Sequence, residues 1–180
     1  MFSKISNSFL NVSADWYQFK SDVIIAHYYS KARKGGSTFY SIKNPEVFKK
    51  QILKNIFKIP PTNCFFAEFT GSNLVTPHID GGGDKVALNL YLDAVTGDET
   101  ICYEPAIGAK PYPGSQSYDV NNLTELSRFT AKQYDTYLLD VSKIHGIQKY
   151  SDSVRSMITF RWKQHSYQNI LDSLILDTNE

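Results

Sequence analysis

His78 and Asp80 stand two residues apart, His145 follows 67 residues after His78, and Arg155 lies ten residues beyond His145. Two imidazoles and one carboxylate can occupy one face of an octahedral Fe(II), leaving three positions for a co-substrate and O2. An arginine offers something different, a planar and permanently charged fork suited to gripping a carboxylate through two hydrogen bonds. Together these residue types point to oxygenase chemistry. Taken singly each has a plainer reading: a lone His-x-Asp is usually a surface pair, and a lone His145 a satisfied core or rim histidine.

The chemistry requires elements that bring these side chains together. If residues 76–80 are extended, successive side chains alternate and His78 and Asp80 project to one side. His145 follows the apolar run Thr136, Tyr137, Leu138, Leu139, Asp140, Val141, which reads as a strand, a turn and a further strand. A third ligand delivered from so far along the chain implies closure between two sheets. Over residues 155–162 alternation puts Arg155, Met157, Thr159 and Arg161 on one face and Ile158, Phe160 and Trp162 on the other. For Arg161 the alternative is a strand-end residue paired with a surface carboxylate. Val86, Leu88, Leu90 and Leu92 form a second apolar face, with Ala87, Asn89 and Tyr91 opposite. Asn89 and Tyr91 are either ordinary barrel-lining residues or partners for a co-substrate or ligand.

From 63 to 162 this pattern resembles the Fe(II)- and 2-oxoglutarate-dependent dioxygenase superfamily, whose signature is His-x-Asp, a distant His and a basic residue about ten positions further on. The resemblance implies Fe(II) held by His78, Asp80 and His145, the distal carboxylate of 2-oxoglutarate held by Arg155, and O2 as the second co-substrate. Prolyl hydroxylases commonly carry Lys where this chain has Arg155. The spacing of Arg155 and Arg161 resembles the nucleic-acid alkylation-repair demethylases of the superfamily. Residues 87–92, followed by Thr100, Ile101, Cys102, Tyr103 and Glu104, resemble small stand-alone members, including phage-borne ones. That likeness adds Asn89, Tyr91 and Tyr103 as candidate co-substrate contacts. The expected reaction is hydroxylation of an amino acid or a peptide side chain, with succinate and CO2 released. Related halogenases replace the ligand carboxylate by a small residue; Asp80 is retained here.

Length and composition agree with one catalytic domain. A chain of 180 residues can bury roughly 70% of its unfolded surface and needs no disulfide or metal staple. Net charge is +1, with no long Lys/Arg block, so bulk charge gives nucleic-acid binding no support. Cys64 and Cys102 lack a C-x-x-C spacing and read as buried free thiols. The first eleven residues lack a sustained apolar stretch and no run reaches membrane-spanning length, so a cytoplasmic protein is expected.

The expected architecture is mainly β: a double-stranded β-helix (jelly-roll, cupin-like) over 63–162, flanking support over 1–62 with N-terminal helices, and a helical tail over 163–180. In the support, Val23, Ile24, Ile25 and Ala26 suggest a strand and residues 32–36 a loop. Asn44-Pro45 opens a helix with Asn as N-cap, burying Val47, Ile52, Ile56 and Phe57. Gly81, Gly82 and Gly83 would keep side chains away from the metal, or form a flexible connection. Residues 105–127, rich in turn-forming types, read as an inserted substrate lid. Ile170, Leu171, Leu174 and Ile175 form a stripe to be buried on the chain's own sheet or, in a homodimer, on a second copy. The rivals are a metal cupin acting as an isomerase or simple dioxygenase, which has no evident need for Arg155, a nucleic-acid oxidative demethylase of the same superfamily, and a non-enzymatic jelly-roll structural or sugar-binding module.

Overall fold

The computed structural model describes residues 1–6, 27–30, 37–42, 45–53, 56–71, 75–93 and 97–175. The strand read at 23–26, the loop at 32–36 and the Asn44 cap lie outside the described residues. Two antiparallel sheets face each other. The larger contains β1 (Phe2–Ile5), β2 (His27–Ser30), β3 (Ser37–Ser41), β4 (Asn63–Phe69), β6 (Val86–Asp93), β9 (Thr136–Asp140) and β11 (Arg155–Trp162), in the order β1-β9-β6-β11-β4-β3-β2. The smaller contains β5 (Val75–His78), β7 (Glu99–Pro105), β8 (Leu123–Thr130) and β10 (His145–Gln148), in the order β5-β10-β7-β8. This is the jelly-roll. Residues before 63 contribute three strands to the larger sheet.

The alternation read in the sequence sorts the larger sheet into two faces. Val86, Leu88, Leu90, Leu92, Ile158, Phe160 and Trp162 join one buried cluster on its outer face. That face is covered by α1 (Pro45–Leu53), through Ile52 and Leu53, and by α2 (Tyr167–Asp172), through Tyr167 and Ile170. Ser166 caps α2 by accepting from the Asn169 amide, and the Asn169 side chain returns the bond in a capping box. Backbone bonds from Lys58 to Ser173 and from Ile175 to Ile56 pin the tail to the segment after α1. Ile170 is fully buried and Leu171 and Leu174 pack on the same cluster, whereas Ile175 is exposed.

The inner face meets the smaller sheet. At one end the gap between the sheets is filled by aromatic rings, with Phe129 stacked on Tyr137 at 3.9 Å and Phe2 against Phe129 at 4.5 Å. Tyr91 meets both Phe129 and Tyr137 edge-on, so it joins this plug to the space beyond. That space is a cavity of about 530 Å3. Residues 105–127 prove to be only partly a loop. Pairing of Pro105 with Leu123 and of Tyr103 with Glu125 makes Leu123 onward the strand β8, because a continuous ladder satisfies backbone groups that a long loop leaves exposed. The remaining stretch, 106–122, caps the cavity and is bonded down on both sides of His78, by Tyr118 to the Pro77 carbonyl at 2.7 Å and by Ile79 to the Gln116 carbonyl at 3.1 Å. Cys64 and Cys102 are buried free thiols, and burial pushes the Cys64 thiol up to about 12.

Candidate metal centre

Strand register places the two histidines. His78 ends β5 and His145 opens β10, where they are direct cross-strand partners, and their rings lie 4.7 Å apart. Asp80, two residues past His78, turns its Oδ1 to within 3.2 Å of His78 Nε2 and 3.5 Å of His145 Nε2. The three can offer one ligand atom each, all within 4.8 Å of one another, which suits a single metal ion. Each imidazole is oriented from behind: Nδ1 of His78 lies 2.9 Å from the Thr76 carbonyl and Nδ1 of His145 3.0 Å from the Lys143 carbonyl. A proton on Nδ1 donates to that carbonyl and leaves the Nε2 lone pair facing the centre.

Gly146 makes this approach possible. A Cβ there would sit 2.9 Å from the Val75 carbonyl oxygen, closer than any side chain tolerates. After Asp80, Gly82 and Gly83 adopt φ of 71° and 80°, the left-handed region that glycine enters without steric cost.

The centre is electrostatically tight. Burial alone would raise the pKa of Asp80, but Arg161 and the two histidines hold its carboxyl well below the usual range. Burial also opposes charging of His78, yet the adjacent Asp80 holds its pKa above the ordinary histidine value. Arg161 donates to Asp80 Oδ2 and lies 5.4 Å over the Phe65 ring.

Arg155 sits at the other end of β11, six residues and roughly 20 Å of strand away. It is 1% exposed, donates through one terminal nitrogen to Thr100 Oγ1 at 2.7 Å, and lies 4.7 Å over the Tyr91 ring. Its Nε and its other terminal nitrogen have no hydrogen-bond partner, and among the described residues no carboxylate pairs with it. Thr100 is two residues along β7 from Cys102, the register partner of His145, so the guanidinium reaches to within roughly 7 Å of strand from the histidine row. The turn delivering Arg155 is fixed by a buried ion pair, Lys149 Nζ to Asp98 Oδ2 at 3.0 Å, with Lys149 also donating to the Ser153 carbonyl.

No protein-family model matches the chain, and no curated protein does. Solved structures do. A 2OG-Fe(II) oxygenase family oxidoreductase from Burkholderia pseudomallei superposes with a TM-score of 0.56 at 8% identity, covering 92% of this chain and 86% of that one. HygX from Streptomyces hygroscopicus, with nickel and 2-oxoglutarate bound, gives 0.54 at 12% identity, covering 89% and 81%. The likeness is one of fold.

Among the residues expected at the site, His78, Asp80, His145, Asn89, Tyr91 and Arg161 line one cavity, and Arg155 lies behind Tyr91 and Thr100. Asn89 is 8% exposed and its Oδ1 has no partner. Tyr103 is a correction: it packs with Ile101 and Ile144 in a separate small cluster. Alternation along β7 explains this, because Thr100 faces the cavity and Ile101 and Tyr103 therefore face away. Sequence reading missed Thr100, Gly146 and the Asp98–Lys149 pair. Its place beside the apolar Ile101 and Cys102 was the only signal for Thr100; the others depend on contacts far apart in the chain.

Proposed function

We propose that this chain is an Fe(II)- and 2-oxoglutarate-dependent oxygenase that hydroxylates a small molecule, such as an amino acid, or a peptide side chain. The observation that carries the reading is Arg155, a buried guanidinium with two unpartnered nitrogens and, among the described residues, no carboxylate partner, held behind Tyr91 and Thr100, which line the same cavity as the His-Asp-His cluster. A permanent charge so placed calls for an anion, and the distal carboxylate of 2-oxoglutarate would supply one. HygX, which shares the fold, was solved with 2-oxoglutarate and a divalent metal bound.

His78 and His145 would hold the metal through Nε2 and Asp80 through Oδ1, with Arg155 taking the distal carboxylate of 2-oxoglutarate. When bound, iron and 2-oxoglutarate supply the oxidising power, one atom of O2 passing to succinate as CO2 leaves and the other to a substrate C–H bond. The chain's own contribution is positional. Thr100 and Tyr91 hold the Arg155 fork without consuming all of its donors. Arg161 keeps Asp80 ionised and fixes its second oxygen. The aromatic plug closes one end of the gap against water, and residues 106–122 cover the other. A metal cupin that uses no 2-oxoglutarate leaves Arg155 without purpose. The finer likeness to small stand-alone, phage-borne hydroxylases, a single domain over 1–180, a cytoplasmic location, and a monomer or a homodimer through the tail belong to the same proposal.

The test is conversion of 2-oxoglutarate to succinate by purified protein on addition of Fe(II) in air, followed by proton NMR. Slow substrate-free turnover, lost on chelation, is expected; protein that binds neither Fe(II) nor 2-oxoglutarate rejects the reading.

A further inference from the structure

Among the described residues, the cavity's charged side chains are confined to one cluster. His78, His145 and Arg161 each pair with Asp80, and among the described residues no other Asp, Glu, Lys, Arg or His lines the space. If 2-oxoglutarate occupies the Arg155 end, its carboxylates are matched by Arg155 and the metal. Among the described residues nothing charged is left over. The remaining wall is built from Phe39 on β3, Phe69 on β4, Val75 and Thr76 on β5, and Tyr112 and Ser117 of the cap.

Phe39 and Phe69 stand edge-to-face with ring centroids 6.2 Å apart and remain half-buried. They offer aromatic surface that the described residues do not cover. The opposite lip belongs to β5, an edge strand of the smaller sheet, and to Ser117, which bridges to His78. Thr76 and Tyr112 are exposed at the rim. An entering group therefore meets two phenyl rings on one side and hydroxyls and backbone on the other. A charged group moved into such a site loses its hydration and finds no counter-charge among the described residues, whereas an apolar group gains by leaving water.

Resting on the oxygenase reading, we infer that the group presented for oxidation is uncharged and mainly apolar, packed against Phe39 and Phe69, and that its carrier's ammonium or carboxylate groups stay outside the cavity. A free zwitterionic amino acid is disfavoured. A neutral side chain of a peptide and a neutral small molecule share the required chemistry.

The test uses full-length protein with Mn(II) in place of iron and 2-oxoglutarate, so that nothing turns over, and isothermal titration as the readout. The neutral probes are the N-acetyl amides of leucine, proline and phenylalanine; the charged ones are those of lysine and glutamate, with free leucine as the zwitterion. The best neutral probe should bind tighter than the charged and zwitterionic ones by roughly tenfold or more. Phe39→Glu should reverse the order of the leucine and lysine amides; if that variant does not fold, Phe39→Ala should weaken the neutral probes selectively. Charged probes binding as tightly as neutral ones, or no neutral probe binding to protein that holds Mn(II) and 2-oxoglutarate, overturns the inference. Failure of Mn(II) and 2-oxoglutarate to bind removes the oxygenase reading instead, and probe ranking on the protein alone then decides the inference. A pentapeptide bearing the preferred residue separates the sources: tighter binding than the capped residue supports a peptide, equal binding a small molecule.

Discussion

The two faces of β11 are built to opposite rules. Outward, Ile158, Phe160 and Trp162 are at most 1% exposed in a continuous apolar cluster, and the Trp162 indole nitrogen donates to the Ile59 carbonyl at 3.0 Å. Inward, the same strand presents Arg155, Thr159 and Arg161, each with a buried polar atom that has no partner. A buried donor or acceptor left unpaired costs stability, so the outer face supports what the inner one spends. Stability and chemistry are separated by one residue of alternation, and substitutions should divide along that line.

The largest effect is expected from His145→Ala. It should remove metal binding and all turnover while leaving the thermal midpoint within a few degrees of the parent, since the ring supports no apolar cluster; iron-dependent succinate formation in that variant would break the comparison. Phe160→Ala, on the opposite face, should cost about 3–5 kcal/mol of unfolding free energy in urea, with metal affinity of the folded fraction unchanged. Arg155→Met sharpens the contrast. Charge-assisted hydrogen bonds of about 1.5–3 kcal/mol would be lost from 2-oxoglutarate, weakening its apparent affinity by roughly 10- to 100-fold. Because an unmatched buried charge is removed, stability should hold or rise; a marked drop would mean that Arg155 serves the fold. Smallest of all, Ser166→Ala should cost about 1 kcal/mol through the lost α2 cap, with no change in metal or 2-oxoglutarate affinity.

Much of this division was legible in the sequence. Period-two alternation across 86–92 and 155–162 assigned each side chain to its face, and those strands carry the outer core and the Arg155, Arg161, Asn89 and Tyr91 positions. His-x-Asp indicated a local pair, and the distant His145 required a second sheet. What escaped was set by register between remote strands. The approach of Arg161 to Asp80, 81 positions apart in the chain, puts Arg161 in the centre rather than in the surface pair that was its alternative. Tyr103, suggested by the resemblance of its segment to small stand-alone members, is out of phase with Thr100 and packs with Ile101 and Ile144. Residues 123–127 looked like loop because Leu123, Thr124, Glu125, Leu126 and Ser127 are largely exposed, and an edge strand with solvent on one face carries little hydrophobic signal.

The close approach at Gly146 has a further consequence for how an ion would bind. In small domains that fold only around a metal, ion binding must also supply the free energy that gathers the ligands. Here the histidines are neighbours because β5 and β10 are hydrogen-bonded and Gly146 lets their backbones meet, so gathering is complete before any ion arrives. The free energy of an ion bound there would go into affinity more than into bringing the two histidines together.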